Sequence, residues 1–250
     1  MTTPPTLLSI LVAIIAFLYS SVGFGGATGY LAVMSQFDIE PNLMATTALL
    51  LNVVVAGIAF FNYRRAGHVE KRLLTSFPLS SIPAAFLGGY FKLSEDLYFI
   101  LLYIILTYVM VRMLFAGKAN QTASEKTQPP PIWLALCSGV AIGLLSGMIG
   151  IGGGIILSPL IILMHWGTPK EAAATAAIFI FLNSLSGLLG RTLGGNFMFG
   201  QLGAWLLPIG VVGALAGSYF GARHFSTSWG RRVLGVVLLI AVVKFWAGYF

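Results

Sequence analysis

The chain has 250 residues, 58% of them hydrophobic and 8% charged, a balance too apolar for a surface that must face water, so it reads as a membrane protein. Its formal charge of +7 arises from 14 Lys and Arg against 7 Asp and Glu; the basic residues fall in short loops, where they set membrane orientation, which removes the nucleic-acid reading. One cysteine excludes an internal disulfide, and Cys137, inside an apolar run, is read as a small packing residue.

The first apolar run covers 6–22. Met1 to Pro5 lacks the positive leader of a signal peptide, so this run is expected to be retained. It leads into "GFGGATGY" (23–30) and an apolar piece at 27–37 that is too short to cross a bilayer. Runs at 41–62, 73–91 and 97–115 each approach the roughly 20 apolar residues that a crossing helix needs. The stretch "GKANQTASEKTQPPP" (117–131) is polar and ends in prolines that cannot continue a helix, the composition of a linker. The order then starts again: a run at 132–148, "GIGGGIIL" (150–157), a short piece at 154–165, and spans at 171–190, 200–222 and 232–250. The chain therefore divides into a first membrane repeat over 1–116, a cytoplasmic linker over 117–131 and a second membrane repeat over 132–250.

Overlaying the halves sets Gly25 on Gly152 at an offset of 127, and Thr47 on Thr175 and Gly67 on Gly195 at an offset of 128. Further along, "GGYF" (88–91) resembles "GSYF" (217–220) and Pro78 roughly matches Pro208. Internal duplication of this kind is common in transporters. In "GALAGSYFG" (213–221) the glycines recur every fourth residue, which reads as a helix-packing face.

Cytoplasmic loops collect Lys and Arg, so "YRRAGHVEKR" (63–72) is assigned to the inside together with the linker. If the second half is inverted, eleven of the 14 basic residues fall inside and only Lys92, Arg191 and Lys244 fall outside, whereas a parallel repeat leaves nine inside. Inversion fits better, and it requires an odd number of crossings per half. The expected fold is an all-α polytopic membrane protein of two inverted repeats, each a re-entrant hairpin (helix plus half-helix) and three transmembrane helices. The N-terminus and C-terminus are both expected outside.

Glycines at the hairpin turns let the chain reverse at membrane depth and let a ligand approach the backbone. The first turn of each half-helix has amides without intrahelical acceptors and carries about half a positive charge, an anion site that needs no basic side chain. At roughly 4 Å and an effective dielectric near 20, each half charge gives an anion on the order of 2 kcal/mol. The candidate substrate-binding residues are Gly25, Gly26 and Thr28 at one tip, Gly152, Gly153 and Gly154 at the other, and Thr47, Asn52, Thr175 and Asn183 on neighbouring spans. Thr46, Ser184 and Ser186 lie close in sequence. The competing reading for any one hydroxyl is a bond to its own helix backbone.

The seven carboxylates lie in loops or at span ends, which leaves no acid inside the membrane for a proton or a metal cation and disfavours cation transport. No cofactor or metal is expected. His165, ending a half-helix, and Arg191, ending a span, read as interfacial residues, with Arg191 a second candidate for drawing anions toward the outer side. The glycines lack the strand and βαβ context of a dinucleotide fold, and no H-E-x-x-H or G-x-S-x-G is present, so enzymatic readings fail.

"GFGGATGYL" with "MATTALLLN" and "YRRAGHV" in the first half, and "GIGGGIILSPLIIL" with "EAAATAAIFIFLNSLSG" and "LGGNF" in the second, resemble the sulfite exporter TauE/SafE family of membrane permeases across nearly the whole chain. That resemblance implies a bacterial inner-membrane carrier exporting sulfur-containing oxyanions such as sulfite or small organosulfonates. The chain departs from the glycine-rich pattern at Ala27 and Thr28, where the second half has Gly154 and Ile155, so the tips are not expected to be equivalent. The partners expected are a small anionic substrate and the lipid bilayer, and a second copy of the chain in a homodimer stays open. An alternating-access carrier leads; a channel-like anion facilitator and a non-transporting membrane scaffold or sensor stay open.

Overall fold

The computed structural model describes residues 6–22, 26–37, 39–115, 128–221 and 227–249; Gly25 and most of the expected linker lie outside them. The described residues are all-helical, in the order α1 (Thr6–Val22), α2 (Ala27–Met34), α3 (Pro41–Arg65), α4 (Lys71–Ser76), α5 (Pro78–Tyr90), α6 (Glu95–Phe115), α7 (Ile132–Ile149), α8 (Gly154–Leu163), α9 (Pro169–Leu193), α10 (Gln201–Gly221) and α11 (Thr227–Tyr249). The short apolar pieces after the glycine clusters form helices of 8 and 10 residues, α2 and α8.

Two expectations about spans change. The run at 73–91 is two helices, because Pro78 has no N–H to continue the ladder and starts α5 instead. Among the described residues four helices are long and apolar enough to cross a membrane, Pro41–Arg65, Glu95–Leu114, Ile132–Ile149 and Pro169–Leu193, so α7 has the length of a span although only a re-entrant entering limb was expected there. The helices α10 and α11 run for 21 and 23 residues.

Local sequence explains the helix ends. Proline at the first helical position opens both 25-residue helices, α3 and α9, and α9 adds a capping box in which Thr168 Oγ1 accepts from the Glu171 amide at 3.3 Å and Glu171 Oε2 accepts from the Thr168 amide at 2.8 Å. The two helices end alike: Gly67 and Gly195 take left-handed φ of 74° and 71°, and the next amide reaches back five residues, His68 to Tyr63 O at 3.2 Å and Asn196 to Arg191 O at 2.8 Å. The glycine match seen in the sequence is thus a shared helix-stop geometry.

Tight seams fix which helices touch. Along α7, Gly139, Gly143 and Gly147 meet the start and first turns of α5 at Phe77–Ser80, Ser81 and Ala85, where any side chain would strike backbone or a serine side chain. Gly213 and Gly217 of α10 do the same against Ala13 and Phe17 of α1, so the expected packing face on α10 is found there. The α1–α10 seam corresponds to the α7–α5 seam when the halves are exchanged, as the contacts of α3 with α10 correspond to those of α9 with α5.

The same contacts give directions. Gly203 lies by Thr47 and Gly210 by Leu51, so α10 runs parallel to α3 and, through its seam, to α1. Ser81 bonds Asn183 and Ile82 bonds Ser186, which makes α5 parallel to α9 and to α7. Across the middle, Leu49 meets Gly187 while Phe181 meets Gly57, so α3 and α9 are antiparallel. The α6–α11 pair is antiparallel too: Tyr103 stacks on Phe245 with centroids 3.7 Å apart, and Met113 and Leu114 meet Gly235. One buried apolar cluster joins α1, α2, α3, α6, α10 and α11, and a second joins α4, α7, α8 and α9 through Phe77, the residue before α5. The outer faces carry exposed large apolar residues such as Leu7, Ile10, Trp133, Val212 and Ile240, as a surface solvated by lipid requires. Cys137 is exposed on α7 and does not pack in the core as expected, because the seam with α5 uses the glycine face of that helix.

Candidate functional site

Each half-helix begins at a left-handed backbone position that glycine adopts without strain. Gly26 (φ 87°) is the N-cap of α2 and Gly153 (φ 77°) the N-cap of α8, and each carbonyl accepts the first two helical bonds, from Gly29 and Tyr30 in one case and from Ile156 and Leu157 in the other. A left-handed residue followed by helical ones turns successive amides to one side, forming a nest that suits an anion. Neither cap has a side chain bonded to the freed amides. At the second tip Gly150 (φ 91°) and Gly152 (φ 73°) are left-handed as well.

The tips meet. A cavity of about 10 Å³ is lined by Gly26, Ala27 and Thr28 from the first, Ile151 and Ile155 from the second, Ile180 of α9 and Tyr19 of α1. That is room for about one water, so the protein is closed around this point. A larger hollow of about 340 Å³, bordered by Glu70, Arg72, Gln128 and Trp166, lies at the α4 end of the molecule and is remote from the tips.

Polar side chains surround the tips without partners. Asn52, fully buried on α3, has neither amide atom hydrogen-bonded, and its Nδ2 sits 2.6 Å from where a Cβ on Gly152 would be. Tyr30, equally buried, holds an unbonded hydroxyl 2.7 Å from the corresponding point on Gly26. Leaving buried amides and hydroxyls unpaired costs about 1–3 kcal/mol each, a cost that a ligand accepting from them offsets. Thr28, by contrast, is engaged, its Oγ1 2.8 Å from the Tyr19 hydroxyl.

Of the other candidates, Thr47 and Thr175 are buried with unbonded Oγ1, but Thr47 faces Gly203 of α10 and neither borders the cavity. Asn183 accepts from Ser81 Oγ at 2.9 Å through Oδ1, which fixes its carboxamide and leaves Nδ2 buried and free. Thr46 Oγ1 accepts from the Met198 amide at 3.5 Å, and Ser186 donates to Ile82 O at 2.6 Å, so these two serve the fold. Ser184 Oγ is buried and unbonded. Gly154 packs beneath Ile180 and the Ala176 carbonyl, which brings α8 against α9. His165 closes α8 with φ 55°, its carbonyl accepting from the Gln128 amide at 3.0 Å.

Arg191 departs most from its interfacial reading: it is 3% exposed. Its Nη2 donates to Gly147 O at 3.2 Å and Met148 O at 2.6 Å, and its Nη1 to Asn42 Oδ1 at 3.4 Å, while Nε has no partner. Tyr98 Oη donates to Ile149 O at 3.1 Å beside it. Among the described residues no carboxylate is buried, so this cation has no buried counter-charge. Sequence reasoning passed over Tyr19, Tyr30, Ser81 and Tyr98. Aromatic residues in an apolar run carry no signal of a functional hydroxyl; the one available clue was Tyr30's position one helical turn beyond the Gly26 cap.

A family model described as sulfite exporter TauE/SafE matches residues 8–245. A probable membrane transporter protein of Sinorhizobium fredii is 35% identical over 239 residues, 95% of this chain and 96% of the relative. A second probable membrane transporter protein, from Bacillus subtilis, is 24% identical over 250 aligned positions, covering 88% of this chain and 89% of its own. No solved structure matches.

Proposed function

The chain belongs to the sulfite exporter TauE/SafE family and is a membrane transporter, and from that premise we propose that it exports a small sulfur-containing oxyanion, sulfite or an organosulfonate, by alternating access. The substrate lies between the two glycine tips, held by the freed amides of α2 and α8 and by Asn52 and Tyr30. The observation carrying this reading is the one-water cavity where the left-handed N-cap Gly26 meets Ile151 and Ile155 of the second tip, together with the unpartnered polar groups of Tyr30 beside Gly26 and Asn52 beside Gly152. At about 10 Å³ it is too small for a tetra-atomic anion, so the described state is the closed one and the tips must part to load.

The antiparallel α3–α9 and α6–α11 pairs, each made of repeat-equivalent helices, support an inverted repeat; the basic loop at 63–72 supports placing it and the linker on the cytoplasmic side, with both ends outside. The parallel sets α1–α3–α10 and α5–α7–α9 each draw helices from both halves, and they meet along α3 and α9. These are the two bodies that rock, with one tip travelling on each. Counterflow of labelled sulfite into proteoliposomes tests the proposal: saturable uptake supports a carrier, large non-saturating flux makes the protein a channel-like facilitator, and no flux with sulfite or methanesulfonate refutes oxyanion transport.

A further inference from the structure

A re-entrant hairpin has an electrostatic problem as an anion site. It sets the positive start of one helix beside the negative end of another, and the two half charges oppose each other a few residues apart. At the second tip the negative end belongs to α7; of its last four carbonyls Ser146 O keeps an ordinary helical bond, while Gly147 O, Met148 O and Ile149 O have no helical amide to accept from.

All four are satisfied. Gly150 N donates to Ser146 O at 2.9 Å, Arg191 Nη2 to Gly147 O and Met148 O, and Tyr98 Oη to Ile149 O. The acceptors lie immediately before the left-handed glycines of the tip. The guanidinium brings a full charge where half is needed for cancellation, and its remaining acceptor, Asn42, is neutral. The net sign at the tip is therefore positive.

We infer that Arg191 and Tyr98 are positioning residues that cancel the carbonyl end of α7, so that the second tip presents only the amide end of α8 to the substrate, and that the surplus charge of Arg191 makes this tip favour anions of higher charge. The inference rests on the proposed anion site between the tips. It is particular to the second half: the repeat overlay puts Tyr63 where Arg191 stands, and Tyr63 lies half-buried near the end of α3.

The test uses the full-length protein in proteoliposomes, with sulfite at alkaline pH as a dianion and methanesulfonate as a monoanion. Arg191→Gln, which keeps donors and loses the charge, is expected to raise KM for sulfite on the order of tenfold while the maximal rate changes by about twofold or less. The rise for methanesulfonate is expected to be about the square root of that. Arg191→Lys restores most of the affinity, and Tyr98→Phe raises KM about threefold. A lowered maximal rate with unchanged KM, or equal KM changes for both anions, overturns the inference and leaves Arg191 as a helix clamp. If Arg191→Gln does not reach the membrane, Arg191→Lys and Tyr98→Phe carry the same KM comparison. Gly152→Val separates the two ideas: if it abolishes transport while the Arg191 variants keep wild-type KM, only this inference falls, and if it transports like wild type, the tip site falls and takes the inference with it. Wild-type protein that moves neither anion overturns both.

Discussion

The two tips share a backbone and differ in what surrounds it. At the first, the N-cap Gly26 is followed by Ala27 and Thr28, and aromatic hydroxyls close in: Tyr30 over the glycine, Tyr19 on the threonine. At the second, three left-handed glycines fall within four residues, a carboxamide from α3 leans over Gly152, and a buried cation holds the preceding helix end. The two copies thus share the conformation that frees the amides and differ in the side chains around it. On the proposed reading, one tip offers neutral hydroxyls and the other a positive field.

The largest expected effect comes from destroying the shared feature. Gly152→Val asks a β-branched residue to adopt φ 73°, with Asn52 Nδ2 at 2.6 Å and Ile180 Cγ2 at 2.8 Å from its Cβ. Transport is expected to fall by about two orders of magnitude with insertion into the membrane retained, measured as counterflow normalised to protein in the vesicle. Gly26→Val, whose obstruction is the tip of the Tyr30 side chain, is expected to be less severe, and equal losses would erase the distinction between the tips.

Asn52→Asp sharpens the comparison by placing a carboxylate on the electropositive tip. An internal anion competes with the substrate for the same amides, so KM is expected to rise at least about tenfold, while Asn52→Leu raises it less because it removes donors without adding charge. Matching KM values for the two variants would mean that the second tip carries no field. At the first tip, Tyr30→Phe removes a hydroxyl that has no partner in the closed state. Thermal stability without ligand should stay the same or rise slightly, and KM should rise about threefold. A clear loss of stability would assign that hydroxyl to the fold.

The smallest effect on transport is expected from the seams. Gly147→Ala pushes α7 from the Ala85 carbonyl and Gly217→Ala pushes α10 from the Phe17 carbonyl, each costing about 1–3 kcal/mol of stability, read as a lower melting temperature with KM unchanged. A KM change confined to Gly147→Ala would show that the α5–α7 seam sets the second tip, since Arg191 bonds the carbonyl of that same residue.

Much of the architecture was legible because it is written in short-range chemistry. Gly67 and Gly195 matched in the sequence because both supply the left-handed residue that a helix stop requires, and Gly26 and Gly153 do so at helix starts. Pro78 announced a helix start that the hydropathy of 73–91 concealed. Of the candidates on the spans, Asn52 lies beside Gly152 of the second tip and Thr47 beside Gly203 of α10, a difference set by packing between helices that spacing along the chain does not encode.

By itself, then, the sequence determined the helices, their caps and the duplication, since each depends on residues within a turn or two of one another. Only the tertiary structure decided what becomes of the buried polar groups. Arg191 looked like a span-end anchor until α7, 44 residues away in sequence, placed its carbonyls around the guanidinium; Asn183 became a fixed donor only because Ser81, 102 residues away, took its oxygen. The energy of a buried charge or amide is set by the atoms that replace water around it, and here those atoms come from other helices.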